Sequence, residues 1–230
     1  MDLSFLNPTT IILFAVAAVA AYLLGSLNFA IIFTKIFVKK DVRDVGSGNA
    51  GMTNAFRAGG KITGILTLIF DFAKTIASVA IGRWLLPRLA YDLCLAFECE
   101  AVILNSLYGA MWCGLFVIVG HLFPVFFGFR GGKGVITSAG TILLIDWRLF
   151  LICIGVFIIC FAITKIISIS SMISSLAFPV AAWFLLGDSR ATGTIFAALI
   201  ALIIIVKHKD NIKRLLKGEE KRMSFGKKSS

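Results

Sequence analysis

The sequence predicts an all-α, polytopic membrane protein with seven transmembrane helices, an N-terminus outside the cell and a cytoplasmic C-terminus. Of its 230 residues 59% are hydrophobic and 15% are charged, and the mean hydropathy is +0.95. A soluble domain is about half apolar and about a quarter charged. The apolar residues form long runs, and basic residues collect on one side of them. We interpret residues 1–230 as a single membrane-embedded domain that ends in a basic cytoplasmic tail over residues 210–230.

Seven apolar segments account for the predicted helices, since a helix that crosses the hydrocarbon core needs about 20 apolar residues. Small and polar residues interrupt the first segment at Gly25–Asn28, and the fourth segment is short. A short acidic loop is predicted over Pro87–Glu100, with a partly helical segment as the alternative. Its Cys94 and Cys99 would pair if it faces an oxidising compartment. The seven segments are Thr10–Val38, Ile62–Leu86, Ala101–Val119, Val135–Ile145, Leu149–Thr164, Met172–Leu186 and Thr192–Val206.

The distribution of basic residues predicts the orientation. With the N-terminus outside, 18 of the 23 lysines and arginines lie in cytoplasmic segments and four lie in external ones. Retention of basic residues on the cytoplasmic side explains the net charge of +11, so we predict no nucleic-acid partner. The same orientation places three polar segments of the chain on the cytoplasmic face.

The second of the three polar segments is the glycine loop, Arg130–Gly134. It lies between two apolar segments and combines three glycines with two cations. Glycines let backbone N–H groups converge and let an anion approach closely. A helix that begins after Gly134 would add its own N-terminal N–H groups. The pattern therefore predicts a phosphate or carboxylate site made by Arg130, Gly131, Gly132, Lys133 and Gly134. A flexible basic turn is the alternative.

The first polar segment, Lys39–Lys61, is rich in glycine and in hydrogen-bonding side chains. Irregular backbone beside a membrane persists only where it lines a cavity or packs against protein. An arginine in such a segment binds phosphate through two parallel hydrogen bonds. A flexible loop whose arginine reaches the lipid headgroups is the alternative. The candidate residues are Gly46, Ser47, Gly48, Asn49, Thr53, Asn54 and Arg57.

The third polar segment, His208–Glu220, follows the last apolar run. On a helix His208, Asn211 and Arg214 share one face, because residues three apart are neighbours. A tail lying on anionic lipid is the alternative, with about 1 kcal/mol from each basic residue. Histidine and asparagine do not contribute to such binding, so a more specific role is predicted for them. Arg214, on the same face, is a candidate substrate-binding residue.

One pair of ionisable residues, Asp71 and Lys74, lies inside the second apolar segment. Such residues are costly within a membrane and are usually paired or functional. Their spacing predicts an intrahelical ion pair that supports the site. A proton or ion path is the alternative.

The three polar segments, in this order, resemble the PlsY family of bacterial membrane glycerol-3-phosphate acyltransferases, which use acyl phosphate as donor. The resemblance extends over essentially the whole chain. It implies a seven-helix fold in the bacterial inner membrane and an active site that faces the cytoplasm. It also implies acyl transfer to the 1-hydroxyl of glycerol 3-phosphate, giving lysophosphatidic acid and phosphate. The matching stretches are Gly46–Arg57, Gly120–Pro124, Phe129–Gly134 and His208–Glu219.

The resemblance also implies roles for particular residues. The family's glycine loop, associated with glycerol phosphate, corresponds to Gly131, Gly132 and Gly134, and its structural glutamate to Glu219. The chain departs from the family pattern at Met52, Thr75 and Asn28, without loss of a functional group. No cofactor or metal is expected, and the protein is expected to be a monomer in membrane lipid. The catalytic residues implied are Ser47, Arg57, Lys133, His208 and Asn211.

Two other classes of function fit some of these features. A transporter of an organic phosphate anion would also use basic glycine loops, but it predicts inverted repeats and charges at the membrane midplane. The sequence has no evident internal repeat. A structural lipid-binding protein would leave Ser47, His208 and Asn211 without a role.

Overall fold

The computed structural model describes residues 8–96 and 106–223, where the regular structure is helical. Cys99, and with it the predicted pairing with Cys94, lies outside the described residues. A π-helical turn at Ile81–Leu85 joins the third and fourth helices. The helices are α1 Pro8–Ser26, α2 Phe29–Val38, α3 Met52–Ala80, α4 Leu86–Ala96, α5 Ser106–Leu122, α6 Val135–Ile145, α7 Trp147–Thr164, α8 Ile167–Leu185, α9 Arg190–Lys207 and α10 Lys209–Leu216.

Six helical stretches of the described chain are long and apolar enough to cross a membrane. Helix α6 has only 11 residues, so at 1.5 Å per residue it spans about half of a ~30 Å hydrocarbon core. The predicted membrane protein of apolar helices is confirmed, whereas seven spans and the orientation of the termini stay predictions. The six stretches are Thr10–Val38, Met52–Leu93, Ser106–Phe127, Trp147–Thr164, Ile167–Leu185 and Gly187–Lys207.

The predicted interruption of the first apolar segment is confirmed. Helix α1 ends at Ser26, and Asn28 caps α2 by accepting a hydrogen bond from the Ile31 N–H at 3.1 Å. A helix break in an apolar environment leaves carbonyls without partners. Here Lys74 donates to the carbonyls of Gly25 and Leu27, at 2.9 and 2.5 Å. The break is therefore a built feature that α3 supports.

The second apolar segment is helical over a longer stretch than predicted. Helix α3 begins at Met52, and Gly60, at φ +77°, kinks it. The segment Pro87–Glu100, for which a partly helical segment is the alternative to a loop, is helical over its first ten residues, which belong to α4. Proline fits the first turn of a helix, and Arg88 and Asp92 pair four residues apart at 3.0 Å. Both features favour a helix over a loop in this segment.

The described helices group into two compact units, which divide in the sequence between Ile145 and Asp146. In the N-terminal unit α1 packs against α5 through glycines, because a Cβ at Gly25 or Gly120 would collide with backbone atoms of the facing helix. In the C-terminal unit α8 packs against α7 and α9, and Phe178 meets Phe196 edge to face. The single domain over residues 1–230 stays a prediction.

Candidate active site

The N-terminal unit brings the first polar segment against the loop that precedes α6. The Arg43 guanidinium donates to the carbonyls of Phe127 and Arg130, at 2.6 and 3.2 Å. Asp41 holds the same guanidinium through two further hydrogen bonds. The hydrogen bond from Arg43 keeps the pKa of the Asp41 carboxyl below its usual range despite partial burial. Two segments distant in sequence are thus joined by one charged side chain.

Asn28 makes a second connection to the first polar segment. Its amide nitrogen donates to the Ala50 carbonyl at 3.2 Å, while its oxygen caps α2. The side chain is fully buried. Both ends of its amide are therefore occupied, and the turn before α3 is held against the beginning of α2.

Asn54 organises the first polar segment from inside. Its amide nitrogen donates to the carbonyls of Val42 and Val45, at 2.7 and 2.8 Å, and its oxygen accepts from the Ser47 N–H at 3.0 Å. The residue is buried. The prediction that Asn54 binds substrate is therefore wrong in its geometry, because these contacts occupy the amide.

Other candidates of this segment lie on its surface. Ser47 and Arg57 are exposed, and Gly46 and Gly48 hold positive φ angles of +61° and +69°. A Cβ at Gly46 would collide with the Asn54 side chain, so the turn requires glycine there. Asn49 and Thr53 are half-buried. The segment thus presents a hydroxyl and a guanidinium on a turn that is fixed from beneath.

The glycine loop differs from the predicted anion cradle. The N–H groups of Gly131 and Gly132 donate to the carbonyls of Leu122 and His121, at 3.2 and 3.1 Å. They are therefore not directed at an anion, which corrects the prediction for these two residues. A Cβ at Gly131 would collide with the His121 carbonyl, and one at Gly132 with the His121 ring. Both glycines are needed for close backbone approach to the end of α5.

The end of the glycine loop leads into α6, as predicted. Gly134 holds a φ of +83°, and its carbonyl accepts from Thr137 Oγ1 at 2.9 Å and the Ser138 N–H at 2.8 Å. The first N–H groups of a helix have no intrahelical acceptor and favour anions. Lys133, half-buried, directly precedes this turn, and Arg130 is exposed. The predicted anion site therefore stays a prediction for Lys133, Gly134 and the start of α6.

A buried charged cluster lies behind these segments. The predicted ion pair is present, with 2.7 Å between Lys74 Nζ and Asp71 Oδ1, and both side chains are almost fully buried. His121 is also buried, and its Nδ1 is 3.2 Å from Lys74 Nζ. The roles of Asp71 and Lys74 in supporting the site stay predictions.

The C-terminal unit contains His208 and Asn211. His208 is buried at the end of α9, where its Nδ1 lies 2.8 Å from the Ile204 carbonyl. A carbonyl only accepts hydrogen bonds, so Nδ1 carries the proton and Nε2 is the acceptor of the neutral ring. Asn211 is buried on α10, one turn further along. The ring thus has the tautomer that a general base at Nε2 requires.

Glu220, and not Glu219, is the carboxylate that holds the third polar segment together by hydrogen bonds. Glu220 accepts hydrogen bonds from Asn211 at 2.5 Å, Ser168 at 2.8 Å and Arg214 at 2.7 Å. Glu219 is exposed, and its carboxylate makes no such contact in the described chain. The structural role predicted for Glu219 is therefore corrected to its neighbour. Arg214 binds Glu220 through its Nε, and its predicted contact with substrate stays a prediction.

The pKa of Glu220 reflects this environment. Burial raises the pKa of the carboxyl, but the hydrogen bonds from Asn211, Ser168 and Arg214 outweigh burial and hold it below its usual range. The side chain is only 10% exposed. A charged carboxylate therefore holds Asn211, Arg214 and α8 together.

Three of the organising residues were not predicted from the sequence. The sequence marks Asn28 as part of the Gly25–Asn28 interruption and as a departure from the family pattern, but it predicts no contact with the first polar segment. Arg43 is one of many basic residues, and the resemblance points to Glu219 instead of Glu220. Their partners are backbone carbonyls or side chains distant in sequence. Only the alternation of acidic and basic residues at Asp41–Asp44 gave a local signal for Arg43.

The fold and these groups define an integral membrane protein with exposed cationic and hydrogen-bonding side chains suited to a phosphate-bearing ligand. The model of the glycerol-3-phosphate acyltransferase family matches residues 15–218. The glycerol-3-phosphate acyltransferase of Thiobacillus denitrificans is 38% identical over 211 residues, which cover 92% of this chain and 96% of the relative. That of Chromobacterium violaceum is 40% identical over 202 residues, covering 87% and 90%.

Two solved structures have a similar fold. The crystal structure of PlsY (YgiH), an integral membrane glycerol 3-phosphate acyltransferase, in its glycerol 3-phosphate form has a TM-score of 0.75 and 31% identity. The similarity covers 92% of this chain and 96% of that one. The lysophosphatidic acid form has a TM-score of 0.72 and 30% identity, covering 92% and 95%. The chain belongs to the glycerol-3-phosphate acyltransferase family.

Proposed function

We propose that the protein transfers an acyl group from acyl phosphate to the 1-hydroxyl of glycerol 3-phosphate, releasing lysophosphatidic acid and phosphate. The observation that carries the proposal is that hydrogen bonds fix the two segments of the N-terminal unit on which Ser47 and Lys133 lie. Asn54 holds the turn that presents Ser47, and backbone hydrogen bonds hold the loop before Lys133. Fixed donors of this kind suit a phosphate that must stay aligned during reaction.

The chemistry needs few catalytic groups because acyl phosphate is a mixed anhydride and is already activated. The 1-hydroxyl oxygen attacks the acyl carbonyl carbon, and the bond from that carbon to the phosphate oxygen breaks. Phosphate leaves with the bonding electron pair. The hydroxyl proton goes to His208 Nε2 or to a phosphate oxygen of a substrate. No cofactor takes part in this balance.

The charges of both substrates explain the residue types. Each substrate carries a phosphate, so cations and hydrogen-bond donors must align two anions and offset the charge that develops as phosphate leaves. Arg57 and Lys133 supply charge, Ser47 and Asn211 supply hydrogen bonds, and His208 supplies the acceptor. Further substrate-binding residues surround these five: Gly46, Gly48, Asn49, Thr53, Arg130 and Gly134.

The membrane location follows from the acyl substrate. Its chain stays among lipids while its phosphate reaches the cytoplasmic side of the bacterial inner membrane. The excess of basic residues in the polar segments supports this orientation, with the N-terminus outside and seven spans. The working form is a monomer.

The test is an assay on purified protein in detergent with acyl phosphate and glycerol 3-phosphate. Equal amounts of phosphate and lysophosphatidic acid are expected. Ser47→Ala and Lys133→Ala should each abolish turnover while the thermal unfolding transition is retained. Lys217→Ala, which changes an exposed tail residue, is the control and should keep full activity. Uptake of glycerol 3-phosphate into liposomes without acyl transfer would support a transporter instead.

A further inference from the structure

Lys74 has more acceptors around it than an ion pair requires. Besides Asp71 Oδ1 at 2.7 Å, its Nζ lies 2.9 Å from the Gly25 carbonyl, 2.5 Å from the Leu27 carbonyl and 3.2 Å from His121 Nδ1. An ammonium group has three protons and no lone pair. Its three donors are therefore shared among four acceptors that belong to three different helices or their ends.

The contact with His121 determines the state of that ring. Because the ammonium only donates, a hydrogen bond between Lys74 and His121 requires Nδ1 to accept, which puts the proton of a neutral ring on Nε2. The Asp71 carboxylate, 3.7 Å from the same Nδ1, is beyond hydrogen-bonding distance. The Nε2 edge lies against Gly132, where an added Cβ would collide with it. Lys74 thereby sets which edge of the imidazole faces the glycine loop. His208, whose Nδ1 faces a carbonyl, has the opposite tautomer.

The contact with the end of α1 reaches the first polar segment. Leu27, whose carbonyl Lys74 binds, directly precedes Asn28, which donates to the Ala50 carbonyl. Ala50 lies three residues after Ser47 and is fully buried. Lys74 is thus connected to the first polar segment through Leu27 and Asn28, and to the glycine loop through His121.

We propose that Lys74 is a positioning residue for glycerol 3-phosphate binding: it fixes the His121 ring against Gly132 and the end of α1 against Ala50. The inference rests on the proposed function for its substrate. Lys74 touches no substrate itself. Its loss therefore changes the placement of the phosphate-binding segments and raises the KM for glycerol 3-phosphate more than it lowers kcat.

The competing explanation is that Lys74 only neutralises Asp71. Besides Lys74, the Asp71 carboxylate has His121 Nδ1 at 3.7 Å, which is too far for a hydrogen bond, so Lys74 is its close partner in the described chain. Loss of Lys74 alone would leave a buried, uncompensated charge, which is strongly destabilising. The two explanations separate when both charges are removed together, because the double neutral variant has no uncompensated charge and no ammonium.

The decisive variant is therefore Lys74→Met combined with Asp71→Asn. We expect its thermal unfolding temperature to lie above that of Lys74→Met alone, because no uncompensated charge remains, although the Gly25 and Leu27 carbonyls still lose their donor. We expect its KM for glycerol 3-phosphate to stay raised about tenfold or more, which corresponds to the loss of a charged hydrogen bond, while kcat stays within about threefold. Recovery of the wild-type KM would overturn the proposal and leave charge neutralisation as the role of Lys74.

A second pair of variants tests the same inference on the ring. Glutamine at position 121 places an amide near the former Nε2, whereas asparagine places one near the former Nδ1. We expect His121→Gln to keep a KM closer to that of the wild type than His121→Asn. The reverse order would contradict the proposed contact with Gly132. If the Lys74 variants do not fold, this pair still tests the contact between the His121 ring and Gly132, on which the proposal depends.

A direct binding measurement separates this inference from the proposed reaction. Radiolabelled glycerol 3-phosphate, without any donor, should bind the wild type more tightly than the double variant. Weaker binding by the double variant supports the positioning role even if acyl phosphate fails as donor. Equal binding by both proteins overturns it, whatever the donor.

Discussion

The two units hold their predicted catalytic residues in different ways. In the N-terminal unit Asn28, Arg43 and Asn54 each bind backbone carbonyls of the loops, so several independent contacts fix the segments that present Ser47 and Lys133. In the C-terminal unit one carboxylate, Glu220, binds Asn211, Arg214 and Ser168 together. The first arrangement distributes its support, and the second concentrates it.

This difference teaches where each unit is vulnerable. When several side chains share the support of a loop, the loss of one leaves the others in place. When one charged group binds three donors, its loss removes a hydrogen bond from all three at once in a largely buried place. Substitutions of equal size should therefore cost more activity at Glu220 than at Arg43.

The largest effect is expected from Glu220→Gln. An amide accepts fewer hydrogen bonds and has no charge to pair with Arg214, so Asn211 loses its fixed position. We expect kcat/KM for acyl transfer to fall about tenfold to hundredfold. Glu219→Gln is the matched control, because Glu219 is exposed, and should stay within about twofold of the wild type. Equal losses at both positions would remove the contrast between the units.

The next largest effect is expected from Gly131→Ala. The added methyl would collide with the His121 carbonyl, so the backbone before Lys133 must shift. We expect the KM for glycerol 3-phosphate to rise about tenfold, the effect of losing one charged contact. Gly128→Ala is the comparison, since Gly128 has a positive φ, +65°, which Gly131 does not have, but has open space around it. A larger defect at Gly128 would show that backbone conformation, and not close approach, limits the loop.

A smaller effect is expected from Arg43→Gln. It removes the hydrogen bonds to the Phe127 and Arg130 carbonyls, but Asn28 and Asn54 keep their own contacts. We expect kcat/KM to fall only about threefold to tenfold, because the lost hydrogen bonds are partly exposed to solvent and other contacts still hold the loop. A loss as large as that of Glu220→Gln would mean that support in the N-terminal unit is also concentrated in one residue.

The smallest effect is expected from acidic pH on stability. The folded-state pKa of Glu220 is depressed, so its contribution is complete above the usual glutamate pKa of about 4.3 and is lost as the pH falls below it. The difference in unfolding temperature between wild type and Glu220→Gln should therefore be constant from pH 7 to pH 5. It should shrink towards pH 3.5. A difference that widens in acid would contradict the assigned contacts.

The sequence predicted those parts of the molecule that depend on local composition. Apolar length predicted the membrane helices, glycine and asparagine predicted the break at Gly25–Asn28, and three-residue spacing predicted the pair of Asp71 and Lys74. Hydrogen-bond partners could not be predicted in the same way, because a side chain such as Asn54 is equally suited to bind a substrate or a backbone carbonyl. Only the fold decides which acceptor is near.

The same limit explains the two corrections at charged and glycine-rich positions. Glycines at positions 131 and 132 fit an anion cradle and a close backbone contact equally well, and the end of α5 selects the second. Adjacent glutamates have identical chemistry, and only the position of α8 beside Glu220 distinguishes them. Burial and long-range contact, which the sequence does not encode locally, made the difference.

The most direct test of the central claim is the binding of radiolabelled glycerol 3-phosphate to purified protein in the absence of donor. The account predicts saturable binding by the wild type and by the exposed-tail control Lys217→Gln, and loss of that binding in Ser47→Ala and Lys133→Gln. Undiminished binding by folded Ser47→Ala and Lys133→Gln would contradict it.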